Sequence, residues 1–140
     1  MKFQKLKKTI SMLTAAACVL VLAPAGEVHA EEVRSVYTNE ITTPEAAATR
    51  PIAIMMPTDK VAQPSYGISH AKVLYEIMEE GDISRQMAVI DDWQGLSKIG
   101  NIRSCRAYYI PEATEWDPIL VHFGGVVYMK DRISMPDINN

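Results

Sequence analysis

Three short apolar runs follow residue 50, each bounded by residues that form turns. They lie in residues 52–56, 84–93 and 118–123. The first stands between Pro51 and Pro57, and the last ends at Gly124 and Gly125. Runs of this length between turn signals predict buried β-strands.

Residues 68–80 have apolar positions at helical spacing and predict an α-helix that ends at Gly81. Residues 107–116 predict a second helix. Pro111 lies inside it and either kinks this helix or starts a second segment at its first turn. The pattern therefore indicates a small α/β domain over residues 50–130, with three strands and two or more helices. Connections through helices favour parallel strands.

The flanking segments have no sustained period. Residues 31–49 indicate a linker or disordered leader, although residues 42–45 could cap a short helical turn. Residues 131–140 indicate an unstructured tail.

Residues 1–30 have the pattern of an export signal. Four lysines precede an apolar run from Ala15 to Ala23, and small residues lead up to Ala30, where we expect cleavage. A run of nine residues is too short to span a bilayer, which needs about 20. Cys18 leaves a second route open, a lipid anchor on that cysteine. The apolar run continues past Cys18, which favours cleavage after Ala30 instead.

The net charge limits the kinds of partner that the protein is expected to bind. Residues 1–30 carry four lysines and one glutamate, so cleavage leaves 10 basic and 16 acidic side chains and a net charge of −6. This argues against nucleic acid or an anionic membrane as a non-specific partner. The cleaved chain keeps one cysteine, Cys105, so it has no internal disulfide.

The strongest candidate for binding chemistry is the polar stretch at residues 99–109. Arg103 and Arg106 flank Ser104. Two permanent cations with forked donors suit a carboxylate or phosphate, so these three residues predict a site for an anionic small molecule or an envelope glycan. The alternative is that both arginines pair with acids of the same domain.

Other candidates are single residues. Asp91 follows the second predicted strand, and His122 lies in the third; either could serve as a general base. Asp91 is also an ordinary turn residue, and a lone histidine on a strand is more often a core residue. Arg85 is expected to pair with Glu80 or Glu76 and so fix the end of the first predicted helix. No spacing predicts a metal site or a cofactor.

Several motifs together resemble the YerB-like lipoproteins, a bacterial family of unknown function. The stretches that carry this resemblance are residues 50–56, 69–76, 80–85, 87–89, 99–106 and 121–125. The resemblance implies an exported, envelope-facing protein, often lipid-anchored, with no established activity. It also implies a longer protein with a further C-terminal domain, of which this chain would be a part.

Three functional hypotheses follow. The first is an envelope protein that binds an anionic ligand or glycan through Arg103, Arg106 and Ser104. The second is an extracytoplasmic hydrolase or transferase, and the third is a structural interaction module whose arginines pair internally.

Overall fold

The computed structural model describes residues 32–138. Both the predicted export signal over residues 1–30 and Cys18 lie outside this range. The described chain contains three short α-helices and four strands. The helices are α1 (Pro44–Ala47), α2 (Ile110–Thr114) and α3 (Lys130–Ile133). The strands are β1 (Ile52–Pro57), β2 (Val73–Met78), β3 (Ser84–Ile90) and β4 (Ile119–Val121).

The strands form one mixed sheet in the order β2-β3-β1-β4. Antiparallel pairing joins β1 to β3 and β2 to β3, while β4 runs parallel to β1. All three predicted strands are therefore present. The predicted α/β class is confirmed. The predicted sheet of three parallel strands is matched only in part, because the sheet has a fourth strand and a tight hairpin, residues 79–83, joins β2 to β3. A connection that short permits only antiparallel neighbours.

The helix predicted over residues 68–80 is also wrong. This segment forms a single 3-10 turn, Ile68–His70, followed by strand β2. Inward and outward positions alternate along β2, with Val73, Tyr75 and Ile77 on the inner side. The apolar residues at positions 68, 71, 74, 77 and 78 fit a period of 3.6, whereas those at 73, 75 and 77 fit a period of two. Pairing with β3 selects the second set as the inner face.

In the second predicted helix, a new helical segment starts around Pro111, which is one of the two alternatives given for this proline. A 3-10 turn, Ala107–Tyr109, leads into α2, which carries the proline in its first turn. Proline has no N–H to lose at that position, so it starts the helix without cost.

Strand β1 is buried along its whole length. One face packs with Tyr109, Ile110 and other residues of the helical side, and the other face packs against loops that include Ile68 and Trp93. Strand β1 and most of β3 are thus covered on both sides, whereas alternate residues of β2 remain exposed.

The segments on either side of the predicted domain also have structure. In residues 32–49, Thr43 caps α1 by accepting a hydrogen bond from the N–H of Ala46, and Arg34 bridges to Ile41. In residues 131–138, α3 continues to Ile133. No helix within residues 32–138 has the length and apolar character needed to cross a membrane.

Candidate functional site

The hairpin end of the sheet contains a buried network of two arginines and one glutamate. The side chain of Glu79 is only 1% exposed, and that of Arg85 is 5% exposed. Oε2 of Glu79 lies 2.5 Å from Nη2 of Arg85, and Oε1 lies 2.5 Å from Nη2 of Arg106. Neither oxygen accepts an aligned hydrogen bond, so charge attraction holds this carboxylate. One buried anion is thus shared between two cations.

The strand geometry of β2 explains why Glu79 occupies this position. Val73, Tyr75 and Ile77 point towards the core, and the same period of two carries Glu79 to that side. Glu76 falls on the opposite side, where it accepts hydrogen bonds from Ser84 and Gln86.

The predicted pairing of Arg85 with Glu80 or Glu76 is corrected accordingly, since Arg85 pairs with Glu79. The prediction depended on a helix that does not form. Glu80 instead lies 3.1 Å from Nε of Arg106, at an exposed position.

Neighbouring groups complete the network. Nη1 of Arg85 donates a hydrogen bond to the carbonyl oxygen of Ser104. The hydroxyl of Tyr108 is buried without a hydrogen-bond partner in the described structure. Burial and then the charges of Glu79 and Glu80 raise the pKa of Tyr108. For Arg85, burial lowers the pKa and the charge of Glu79 offsets part of that effect.

The two arginines predicted to form a ligand site point to different partners. Arg106 is 14% exposed and is paired with Glu79 and Glu80. Arg103 is 45% exposed and lies 2.6 Å from Asp59. Ser104 lies between them, and its hydroxyl faces Gly124. The three residues are adjacent in the chain, but the two guanidinium groups pair with different carboxylates.

The segment that carries the arginines is tied to the ends of β1 and β4. The N–H of Arg103 donates to the carbonyl of Met55, and the N–H of Phe123 donates to the carbonyl of Arg103. Cys105 is fully buried in this region, and burial raises the pKa of its thiol to about 11. This thiol behaves as a core residue.

The two candidates for a general base lie at opposite ends of the sheet. His122 follows β4 at the arginine end, and its Nδ1 donates to the carbonyl of Gly124 at 2.8 Å. Asp91 follows β3 at the other end, where it is 6% exposed and accepts a hydrogen bond from the hydroxyl of Ser35 at 2.8 Å. A groove of about 380 Å³ borders His122, but neither arginine lines it.

Sequence reasoning missed Glu79, the most buried acid of the network. A period of two from Val73 to Glu79 was the available signal, and the helical interpretation concealed it. The described residues contain no group of three or more histidine, cysteine or acidic side chains arranged to hold a metal ion.

Comparison with known proteins identifies the family. Residues 37–140 match the model described as "Protein of unknown function (DUF3048) N-terminal domain". The chain belongs to the DUF3048 family. The predicted resemblance to YerB-like proteins is thereby confirmed.

One curated relative and one solved structure support this assignment. "Putative lipoprotein YerB" of Bacillus subtilis (strain 168) is 30% identical over 95 residues, which is 68% of this chain and 28% of YerB. A crystal structure of YerB from Bacillus subtilis matches with a TM-score of 0.70 at 26% identity, over 77% of this chain and 37% of that chain. This DUF3048 chain thus spans well under half the length of the relative it matches.

Proposed function

We propose that this DUF3048 chain is an exported, envelope-associated interaction module whose arginines serve its fold. The observation that carries the proposal is the Glu79 carboxylate, which is buried between Arg85 and Arg106. A guanidinium whose charge is matched inside the protein has little left to offer a ligand. Removing one partner of such a buried group typically costs 3–5 kcal/mol, so exchange of Glu79 for a ligand anion would be expensive.

The location in the envelope rests on two independent observations. Residues 1–30 have the composition of an export signal. The relative YerB has a name that describes it as a lipoprotein.

An anionic ligand or glycan at Arg103 is the second candidate function. Its support is that Arg103 is 45% exposed and has a single, partly exposed carboxylate partner, Asp59. Surface pairs of this kind contribute at most about 1 kcal/mol, so a ligand phosphate or carboxylate could displace Asp59. The hydrolase or transferase hypothesis has less support, because His122 and Asp91 lie at opposite ends of the sheet and neither can assist the other in catalysis.

Replacing each arginine by methionine tests the proposal, because methionine keeps much of the length and removes the charge. We expect Arg106→Met to destabilise the domain by about 3 kcal/mol or more, and Arg103→Met by less than about 1 kcal/mol. Denaturant midpoints measure both changes. Calorimetry measures the binding of inorganic phosphate to the wild-type protein and to both variants.

The two candidate functions predict different results for phosphate binding. The framework role predicts no saturable phosphate binding in the wild-type protein. Binding that Arg103→Met alone abolishes would establish the second candidate, and binding that both variants abolish would contradict the framework role.

A further inference from the structure

A polar cleft lies at the end of the sheet opposite the arginine network. It consists of two adjoining cavities of about 370 and 400 Å³. Glu40, Lys72 and Asp92 line both of them. Because Lys72 forms an ion pair with Glu40, this pair divides one cleft into two lobes.

Asp91 has an unmet hydrogen-bonding requirement in this cleft. It lines the larger lobe and is 6% exposed. Its Oδ2 accepts the hydrogen bond from Ser35, whereas its Oδ1 is buried and has no hydrogen-bond partner among residues 32–138. An unsatisfied buried carboxylate oxygen is costly, so a donor supplied from outside the protein would be stabilising here.

The charges of the cleft favour a positively charged donor. Glu40 and Lys72 neutralise each other. Neither Asp91 nor Asp92 has a cationic side chain within ion-pair distance in the described part of the chain, so the cleft carries a formal charge of −2 with His70 neutral. The hydrogen bond from Lys72 to Glu40 raises the pKa of Lys72, and the charges of Asp91 and Asp92 add to that effect.

Hydroxyl groups supply the remaining polar surface. Ser69 and Thr38 line the smaller lobe, and Thr42 and Thr43 line the larger one. Hydroxyls both donate and accept, which suits a ligand that itself carries hydroxyls.

We propose that this cleft binds a primary ammonium group carried on a small polyhydroxylated molecule, with the ammonium beside the carboxylates of Asp91 and Asp92. The ammonium compensates these two charges, and Oδ1 of Asp91 gains its missing donor when the carboxylate turns towards the cleft on binding. The hydroxyls of the ligand then contact the serine and threonine side chains. This site lies outside the framework role proposed above and does not depend on it.

Three matched sugars test the proposal on the full chain. Glucosamine carries the ammonium at about pH 7, below the usual pKa of such amines. Glucose has a hydroxyl in its place, and N-acetylglucosamine has a neutral amide. Amide chemical shifts in a titration by NMR report both affinity and location. We expect glucosamine to bind with a dissociation constant on the order of 1 mM, with shifts centred on Ser35, Lys72 and Asp91, and the other two sugars to bind at least about tenfold more weakly.

Variants separate recognition from stability. Asp91→Asn keeps an acceptor for Ser35 and removes the charge, and it should weaken glucosamine binding about tenfold or more. Asp92→Asn changes an exposed residue and should weaken binding severalfold without unfolding the domain. Asp131→Asn, an exposed carboxylate on α3, is the matched control and should have no effect.

Four results would overturn the proposal. The first is equal binding of the three sugars, which would remove the role of charge. The second is shifts centred outside the cleft, and the third is binding of Ca²⁺ or Mg²⁺ that displaces glucosamine from Asp91. The fourth is the absence of any saturable shift with glucosamine.

Discussion

The two ends of the sheet differ in how a buried carboxylate is neutralised. At the hairpin end, the carboxylate of Glu79 lies between Arg85 and Arg106, and all three side chains are largely removed from solvent. At the other end, Asp91 is also removed from solvent, yet among residues 32–138 one of its oxygens has no donor and the neighbouring Asp92 has no cationic partner. Both ends contain a buried acid, but only the hairpin end neutralises it internally.

This difference distinguishes residues that stabilise the fold from residues that are available to bind a ligand. A buried charge with nearby counter-charges stabilises the arrangement that buries it, and breaking the arrangement is costly. A buried acceptor without a donor gives nothing to the fold and is available to a ligand. The arginines are conspicuous in the sequence, but the acid at the opposite end is the better candidate for binding.

The largest expected effect is the loss of Glu79. Glu79→Gln should destabilise the domain by about 3–5 kcal/mol, because it leaves Arg85 and Arg106 buried without their shared anion. Urea denaturation of the wild-type and variant proteins measures the change in the free energy of unfolding. The neighbouring Glu80→Gln is the control, since Glu80 is 60% exposed. Equal destabilisation by the two variants would remove the distinction between buried and exposed pairs.

Alkaline pH should weaken the hairpin end next. The folded state raises the pKa of Cys105 from 9.0 to about 11, because burial disfavours the thiolate. The stability that this proton provides is complete below pH 9.0 and is lost as the pH rises to about 11. We expect the wild-type protein to lose about 2 kcal/mol more than Cys105→Ala across this window. If the two proteins lose stability in parallel across this window, the thiol is open to solvent and the prediction is contradicted.

A smaller effect is expected at the other end from Ser35→Ala. This change removes the donor to Oδ2 of Asp91 and should cost about 1–3 kcal/mol, towards the lower value if water replaces the hydroxyl. Thermal or denaturant unfolding measures it. Thr49→Ala is a suitable control, because its hydroxyl donates to a backbone carbonyl at an exposed position. A loss no greater than that of the control would mean that Asp91 does not depend on Ser35.

The smallest effect on stability is expected from Lys72→Met. The pair of Lys72 with Glu40 is largely exposed, so its loss should cost less than about 1 kcal/mol. The same change makes the cleft more negative and should tighten glucosamine binding severalfold at low salt. Weaker glucosamine binding in Lys72→Met would contradict recognition of the ammonium by the negative charge of the cleft.

The sequence predicts part of this picture. Apolar runs between prolines and glycines locate β1, β3 and β4, and the signal is clearest for β1, where burial on both faces leaves a continuous apolar segment. They do not reveal β2, since its apolar residues fit helical spacing equally well. Pairing with β3 across the hairpin decides between the two, and the spacing of apolar residues within β2 does not encode that pairing.

The candidate site is predicted only in part for the same reason. Arg106 and Asp91 attract notice by residue type, but their roles depend on what lies opposite them in the fold. Glu79 lies 27 residues before Arg106, and Ser35 lies 56 residues before Asp91, so these contacts are distant in sequence. Their importance follows from the topology of the sheet.

The most direct test of the contrast between the two ends is one NMR experiment on the wild-type chain that follows arginine side-chain and backbone resonances. The protein is titrated first with inorganic phosphate and then with glucosamine. The account predicts that the Nε–H of Arg106 does not respond to phosphate, while the amides of Asp91 and Ser35 shift saturably with glucosamine. A saturable response of Arg106 to phosphate, with no response of Asp91 to glucosamine, would contradict it.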